Sequence, residues 1–292
     1  MTRHEQEGFR KGARTLYITD LDGTLLDSTG HVTETSKHLL NRAIADGALV
    51  SVATARTPAT ISTLLKGIDI SLPMVVMTGA ALWDMKKNRY YDVRFHRPET
   101  ARKLLDIYIE ENLPTFIYSL GEDHIIHIYH LGPMDELARQ FMEERDKSPF
   151  KVFHVGADGS SDTLPPLDRV LLFLTMQPTE AARRVYERIC ELGDCRPIFY
   201  HDSYGDEIAE LEVFAADASK AIGVREVAKI AGADSVVAFG DNMNDLPMLR
   251  AADHSVCVAN AVEEVKATAA ETIGPNTDDS VARYILNHTE KN

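Results

Sequence analysis

Cysteine is scarce in this chain: Cys190, Cys195 and Cys257 are the only three among 292 residues. Three scattered thiols build neither a disulfide framework nor a zinc site, and idle or buried thiols are the default in a reducing compartment. Long apolar runs are missing too. The longest, such as 170–174, are strand-sized and far short of the roughly eighteen residues that span a bilayer. Residues 1–7 are polar and charged, without the apolar centre of a secretory leader. The expectation is a cytoplasmic protein with no membrane partner. Positive charge is also short, with 31 Lys and Arg against 45 Asp and Glu and a net charge of -14. No Lys/Arg cluster supplies the basic face that a polyanion needs, which excludes a nucleic-acid partner. Repeats of fixed period and low-complexity tracts are absent, and no pattern specifies an oligomeric state.

What the chain has is 44% hydrophobic residues, enough for one large core or two smaller ones. Strand and helix patterns alternate from the start: a strand at 15–19, an amphipathic helix at 33–46 stopped by Gly47, and a buried strand at 48–54. A helix at 58–66 and a third strand at 73–78 follow. This βαβαβ order predicts a parallel sheet covered on both faces. The pattern then changes to hairpin-like strands at 89–93, 115–119, 124–129, 169–175 and 197–201, with helices near 99–111, 134–145 and 179–191. That reads as an inserted α+β unit with a partly antiparallel sheet. The βα rhythm returns with strands at 210–214, 235–239 and 255–258 and helices at 219–230 and 243–250. The expected fold is therefore α/β: a Rossmann-like parallel-sheet core from 1–83 and 205–292, with an α+β unit inserted at 84–204.

Four strand ends of this core carry small polar signatures, and the C-terminal strand ends of an open parallel sheet converge on one crevice. The run Asp20-Leu21-Asp22-Gly23-Thr24-Leu25-Leu26 places two carboxylates two residues apart at the mouth of a buried strand, with a glycine where the backbone turns away. One acid can attack phosphorus or hold a cation while the other trades a proton with a leaving oxygen. A calcium loop does not fit, because its glycine belongs at the sixth position and its glutamate at the twelfth. Thr54-Ala55-Arg56 closes the second strand with a hydroxyl and N–H groups that suit a phosphate, although a strand-end threonine is more often a helix cap. Lys220 opens a helix, where a cation opposes the dipole unless an anion meets it. Gly240-Asp241-Asn242-Met243-Asn244-Asp245 is a second acidic loop after a strand. Together the two loops offer the oxygen ligands that octahedral Mg2+ prefers. His124, His127 and His130 suggest a metal site at first sight. Their spacing of three alternates between strand faces, so they read as ordinary histidines.

These motifs, in this order, resemble the haloacid dehalogenase superfamily and its Cof-type phosphatase branch. The tail is also similar to that branch's closing signature, in Val256-Cys257-Val258-Ala259-Asn260-Ala261 and in Asn276-Thr277-Asp278-Asp279-Ser280-Val281-Ala282. The resemblance implies a Mg2+-dependent phosphatase in which Asp20 is the nucleophile and Asp22 the general acid and base. It implies that Thr54, Ala55, Lys220 and Asn244 hold the phosphoryl group. The cation would be bound by Asp20, the Asp22 main-chain carbonyl and Asp241, with Asp245 in support. Two positions depart from the branch pattern: Ala55 stands where glycine is common, and Thr78 where asparagine is common. The insert resembles the family's substrate-selecting cap, with Tyr118, His127, Tyr129 and His201 as candidate contacts. A small phosphorylated metabolite is the expected substrate, a sugar phosphate first and a phosphorylated cofactor such as pyridoxal phosphate or flavin mononucleotide second. A phosphotransferase and a non-catalytic phosphometabolite-binding regulator are the rival readings. Asp22 itself favours hydrolysis, since the superfamily's ion-pumping ATPases carry threonine there.

Overall fold

The computed structural model of the chain describes residues 14–201 and 207–289. Two compact units are present: one joins the described residues up to Asp92 with those from Ser219 on, and the other is Val93–Ala218. Residues 1–7 and the expected boundary between 204 and 205 lie outside the described residues.

In the first unit, strand Thr15–Thr19 is buried at all five positions. A strand with no exposed side must be covered on both faces, as in the middle of a parallel sheet. It pairs in parallel with Leu49–Val52 on one side and Ser235–Gly240 on the other. The sheet runs on in parallel through His254–Cys257 to Glu271–Thr272. Thr19 lies opposite both Val52 and Phe239, so three neighbouring strands end level and hand their next residues to the same rim. Helix Glu34–Ala45, capped by the Thr33 hydroxyl, packs against Ser280–Thr289, and Lys220–Ala231 packs against Leu246–Ala251. The α/β, Rossmann-like core is as the sequence predicts.

The third strand differs from expectation. Met74–Val76 touches the parallel sheet through one bridge, Ala53 to Val75, and its ladder is antiparallel with Ala81–Asp84. The chain reverses there because Met77, Thr78 and Gly79 all take positive φ, at 49°, 56° and 96°. A run of left-handed residues turns a strand back on itself within one turn's length. Arg89–Tyr91 then pairs with Ala81–Asp84, so this hairpin belongs to the first unit and not to the insert expected from 84 onwards.

The inserted unit is a six-stranded sheet in the order Cys195–Tyr200, Ile208–Ala215, Val170–Pro178, Thr115–Leu120, Ile126–Leu131, Lys151–His154. All pairs are antiparallel except the last. Helices Pro98–Glu110 and Thr179–Leu192 bury Leu104, Tyr108, Val185 and Ile189 with Ile117, Phe173, Leu211 and Val213 of the strands. The strand expected at 210–214 as the return to the core is thus Ile208–Ala215 of the insert, and the return comes at Ser219. Its apolar run fits a buried strand of either sheet, and only pairing partners separate the two cases.

Candidate active site

Asp20 sits one residue beyond its strand, 5% exposed, with its N–H donated to Phe239 O at 2.9 Å. From there the chain enters a five-residue turn closed by Leu26 N–H to Leu21 O at 2.9 Å. Asp22 stays extended within the turn and Gly23 takes φ +71°. A side chain at Gly23 has no room, since a Cβ there would lie 2.3 Å from Asp241 Oδ2. The second acidic loop therefore presses its carboxylate directly on the backbone of the first. Thr24 completes the contact by donating its hydroxyl to Asp241 Oδ1 at 2.8 Å.

Lys220 is the hub. Ser219 caps the helix, accepting the Ala221 N–H at 3.2 Å, and Lys220 follows as its first residue. Its side chain is 1% exposed and donates from Nζ to Asp20 Oδ1 and to Asp245 Oδ1, both at 2.7 Å. Asp245 is fully buried and spends its other oxygen on the N–H groups of Asp241 and Asn242, at 3.0 and 3.2 Å. One lysine thus ties two strand ends together, although its acidic partners lie 200 and 25 residues away. A cation buried at a helix start, against the dipole, is explained by this pairing.

Carboxylate oxygens of Asp20, Asp241 and Asp245 all lie within 4.8 Å of one another. Burial pushes the Asp20 carboxyl up to about 8, with Lys220 opposing and the charges of Asp245 and Asp241 adding to it. Asp241 is likewise pushed up to about 6, by burial first, against the hydrogen bond from Thr24. For Lys220 burial favours the neutral amine, but the charges of Asp20 and Asp245 win and raise it. Three carboxylates thus cluster around a single ammonium, which pairs with two of them. That excess of negative charge is what an oxygen-seeking divalent cation relieves, so the donor set fits Mg2+.

Asp22 stands apart from this cluster. Its carboxylate accepts both arms of the Arg56 guanidinium, Nε at 2.7 Å and Nη2 at 2.6 Å. Thr54 is fully buried at the end of its strand, donates its N–H to Val75 O and accepts the Arg56 N–H on its hydroxyl at 3.1 Å. Ala55 does not take positive φ, so alanine serves there without strain. Asn244 follows the second loop, and its Oδ1 is buried with no hydrogen-bond partner among the described residues.

The rim also holds residues to which sequence reasoning gave no role: Arg56, inside a motif quoted for its neighbours, and Thr24, whose target Asp241 is 217 residues away. Gly79 is a third, because a Cβ on it would meet the Ser219 carbonyl carbon and oxygen at 2.3 Å. The hairpin arch thus abuts the start of the Lys220 helix. A signal for Gly79 lay in its position just after a buried strand, where a glycine permits a turn.

The candidate contacts of the inserted unit are not brought to one place. His127 and Tyr129 share a face with Ser119, whereas Tyr118 pairs with Ile128 on the other. His127 Nδ1 lies 2.7 Å from His154 Nε2, Tyr129 stacks on His154, and His201 packs edge-on to Phe199. His130 is buried, with Nδ1 at 2.7 Å from Gly132 O. Among the described residues, Asp20, Asp241 and Asp245 form the sole group of three potential metal ligands.

The chain is similar to known proteins along most of its length. Residues 17–285 match the family of haloacid dehalogenase-like hydrolases. A 5-amino-6-(5-phospho-D-ribitylamino)uracil phosphatase of Bacillus subtilis is 23% identical, over 92% of this chain and 96% of its own length. A pyridoxal phosphate phosphatase of Escherichia coli is 24% identical over the same shares. A solved HAD subclass IIB sugar phosphatase superposes with a TM-score of 0.69 at 21% identity, covering 94% of this chain and 98% of that one.

Proposed function

We propose, from the premise that the chain belongs to the haloacid dehalogenase-like hydrolases, that it is a Mg2+-dependent phosphatase of a small phosphorylated metabolite, a sugar phosphate first. The observation that carries this reading is the buried Lys220 shared by Asp20 and Asp245, with Asp241 beside them. Such a site holds one carboxylate ready for a cation-assisted attack.

Asp20 attacks phosphorus in line, and its O–P bond forms as the bond to the leaving oxygen breaks, giving an aspartyl-phosphate. Asp22 delivers a proton to the leaving oxygen. It then accepts one from the water that attacks phosphorus, releases inorganic phosphate and restores Asp20. Mg2+ bound by the Asp20 and Asp241 carboxylates and the Asp22 carbonyl would offset the repulsion between an anionic nucleophile and an anionic phosphate. Asp245 supports that set from behind, its oxygens being committed to Lys220 and the loop N–H groups. An ammonium has three N–H donors, and Lys220 spends two on carboxylates, which leaves one for a phosphoryl oxygen. Thr54, Ala55 N–H and Asn244 complete the cradle. Both Asp22 oxygens are engaged by Arg56, so the pair opens to free one for the leaving oxygen when a phosphate competes for the guanidinium.

A relative named as a pyridoxal phosphate phosphatase supports a second reading, a phosphorylated cofactor. The ribityl phosphate named for another relative is a sugar-alcohol ester, which lies closer to the first reading. The inserted unit, as the substrate-selecting cap, chooses among leaving groups. Retention of Asp20, Asp22, Lys220 and Asp241 speaks against a non-catalytic binder. The three cysteines are free, which supports the reducing, cytoplasmic setting. A panel of phosphorylated metabolites with Mg2+ identifies the substrate, and added acceptor sugars separate transfer from hydrolysis, because transfer consumes donor without equal phosphate release. Asp20→Asn abolishes turnover of every phosphate ester while the circular dichroism stays unchanged. Appreciable residual turnover would remove Asp20 as the nucleophile.

A further inference from the structure

Two asparagines near the end of the chain grip the first acidic loop from outside. Asn260 donates from Nδ2 to Gly23 O and Asn276 donates from Nδ2 to Leu26 O, each at 2.7 Å. The two amides are joined to each other, since the Asn276 N–H donates to Asn260 Oδ1 at 3.0 Å. The result is one continuous brace that holds two loop carbonyls three residues apart. The loop has reason to need it. Asp22 and Gly23 depart from helical dihedrals inside the turn, so no regular ladder satisfies these carbonyls.

We propose that Asn260 and Asn276 are positioning residues that set the curvature of this loop and thereby aim the Asp22 carboxyl group. The inference rests on the reading of Asp20 and Asp22 as nucleophile and general acid. Its physical basis is local. Gly23 O belongs to the peptide between Gly23 and Thr24, and holding that plane fixes the backbone on the C-terminal side of Asp22. It also fixes the approach of Thr24 to Asp241. Glycine has the widest backbone freedom of any residue, so an unbraced loop would sample several orientations of that peptide. Asn260 is itself solvent-exposed. Water competes for a hydrogen bond at such a site, so the contact adds little to stability, and what it adds is geometry.

The test compares Asn260→Ala and Asn276→Ala with the parent chain in Mg2+, reading kcat/KM for p-nitrophenyl phosphate and for an alkyl phosphate together with the thermal midpoint. An alkoxide leaves only with a proton, whereas p-nitrophenolate leaves without one, so a misaimed Asp22 injures the two substrates unequally. The expected result is a loss of about 10- to 100-fold for the alkyl ester against less than about 3-fold for the aryl ester, with an unmoved midpoint. Equal losses, no loss, or losses that follow a lowered midpoint would overturn the brace. If Asn260→Ala does not fold, Asn276→Ala is judged by the same ratio at the other end, and failure of both to fold makes them structural and sinks the proposal. Asp20→Asn run alongside separates the two readings. Residual turnover there defeats the catalytic assignment, whereas an inactive Asp20→Asn beside a normal Asn260→Ala defeats the brace alone.

Discussion

At the scale of single residues, the pairing of Asp22 with Arg56 has the clearest consequence. The pair is bidentate but partly exposed, and ion pairs of that kind add roughly 0–1 kcal/mol to stability. On the proposed function its value lies in the reaction cycle. Arg56→Ala is expected to lower kcat/KM for phosphate esters about 10-fold or more, chiefly through KM, while the thermal midpoint hardly moves. Unchanged kinetics would reduce the pair to a surface contact. The residue-level motifs were legible early because their chemistry is local: Asp20 and Asp22, Thr54, and Asp241 through Asp245 each follow a buried strand with a turn residue. The partners were not legible. Thr24 with Asp241, Lys220 with Asp20, and Asn260 with Gly23 span about two hundred residues each, and no periodicity encodes a contact at that range.

Among the elements, the arch Met77–Gly79 decides most, because it ends the strand Met74–Val76, reverses the chain and abuts the Lys220 helix. Thr78 sits in it at φ 56°, ψ 20°, 1% exposed, with a buried hydroxyl that has no partner among the described residues. A β-branched residue is poorly suited to the left-handed region, where asparagine is several-fold enriched. Thr78→Asn is therefore expected to raise the thermal midpoint by about 1–3 °C in a melt followed by circular dichroism. A lowered midpoint would mean that the larger amide lacks room, and that space rather than backbone strain governs the position. Most helices match the sequence expectation within a few residues, since caps and periodicity are local signals, whereas Glu263–Thr268 and Ser280–Thr289 were not anticipated. Strands were placed too, yet Arg89–Tyr91 and Ile208–Ala215 were assigned to the wrong unit, because a buried strand looks alike in either sheet.

For the molecule as a whole, the buried acids link folding to pH and to the cation. Burial pushes Asp20 up to about 8 and Asp241 up to about 6 in the fold, whereas both release their protons close to pH 4 when unfolded. The folded state therefore binds more protons than the unfolded state from about pH 4 to 8, so these two groups make stability fall as pH rises through that window. On the proposed function Mg2+ would compete with the same protons for the ionised acids, and its stabilising effect would grow with pH. The gap between thermal midpoints in Mg2+ and in chelator should widen from about pH 5 to about pH 8. An equal gap at both would mean that Asp20 and Asp241 do not hold the ion.

The sequence by itself determined the α/β class and the order of the motifs, and it pointed to the residue types proposed for the chemistry and to an insert. Each of these is written in spacings of a few residues, over which backbone geometry dictates what neighbours can do. Only the tertiary structure decided which strands belong to which sheet, which ammonium meets which carboxylate, and what braces the first acidic loop. Those outcomes depend on groups remote in the chain but adjacent in space, and adjacency of that kind arises only when the sheet has assembled and its strand ends stand side by side.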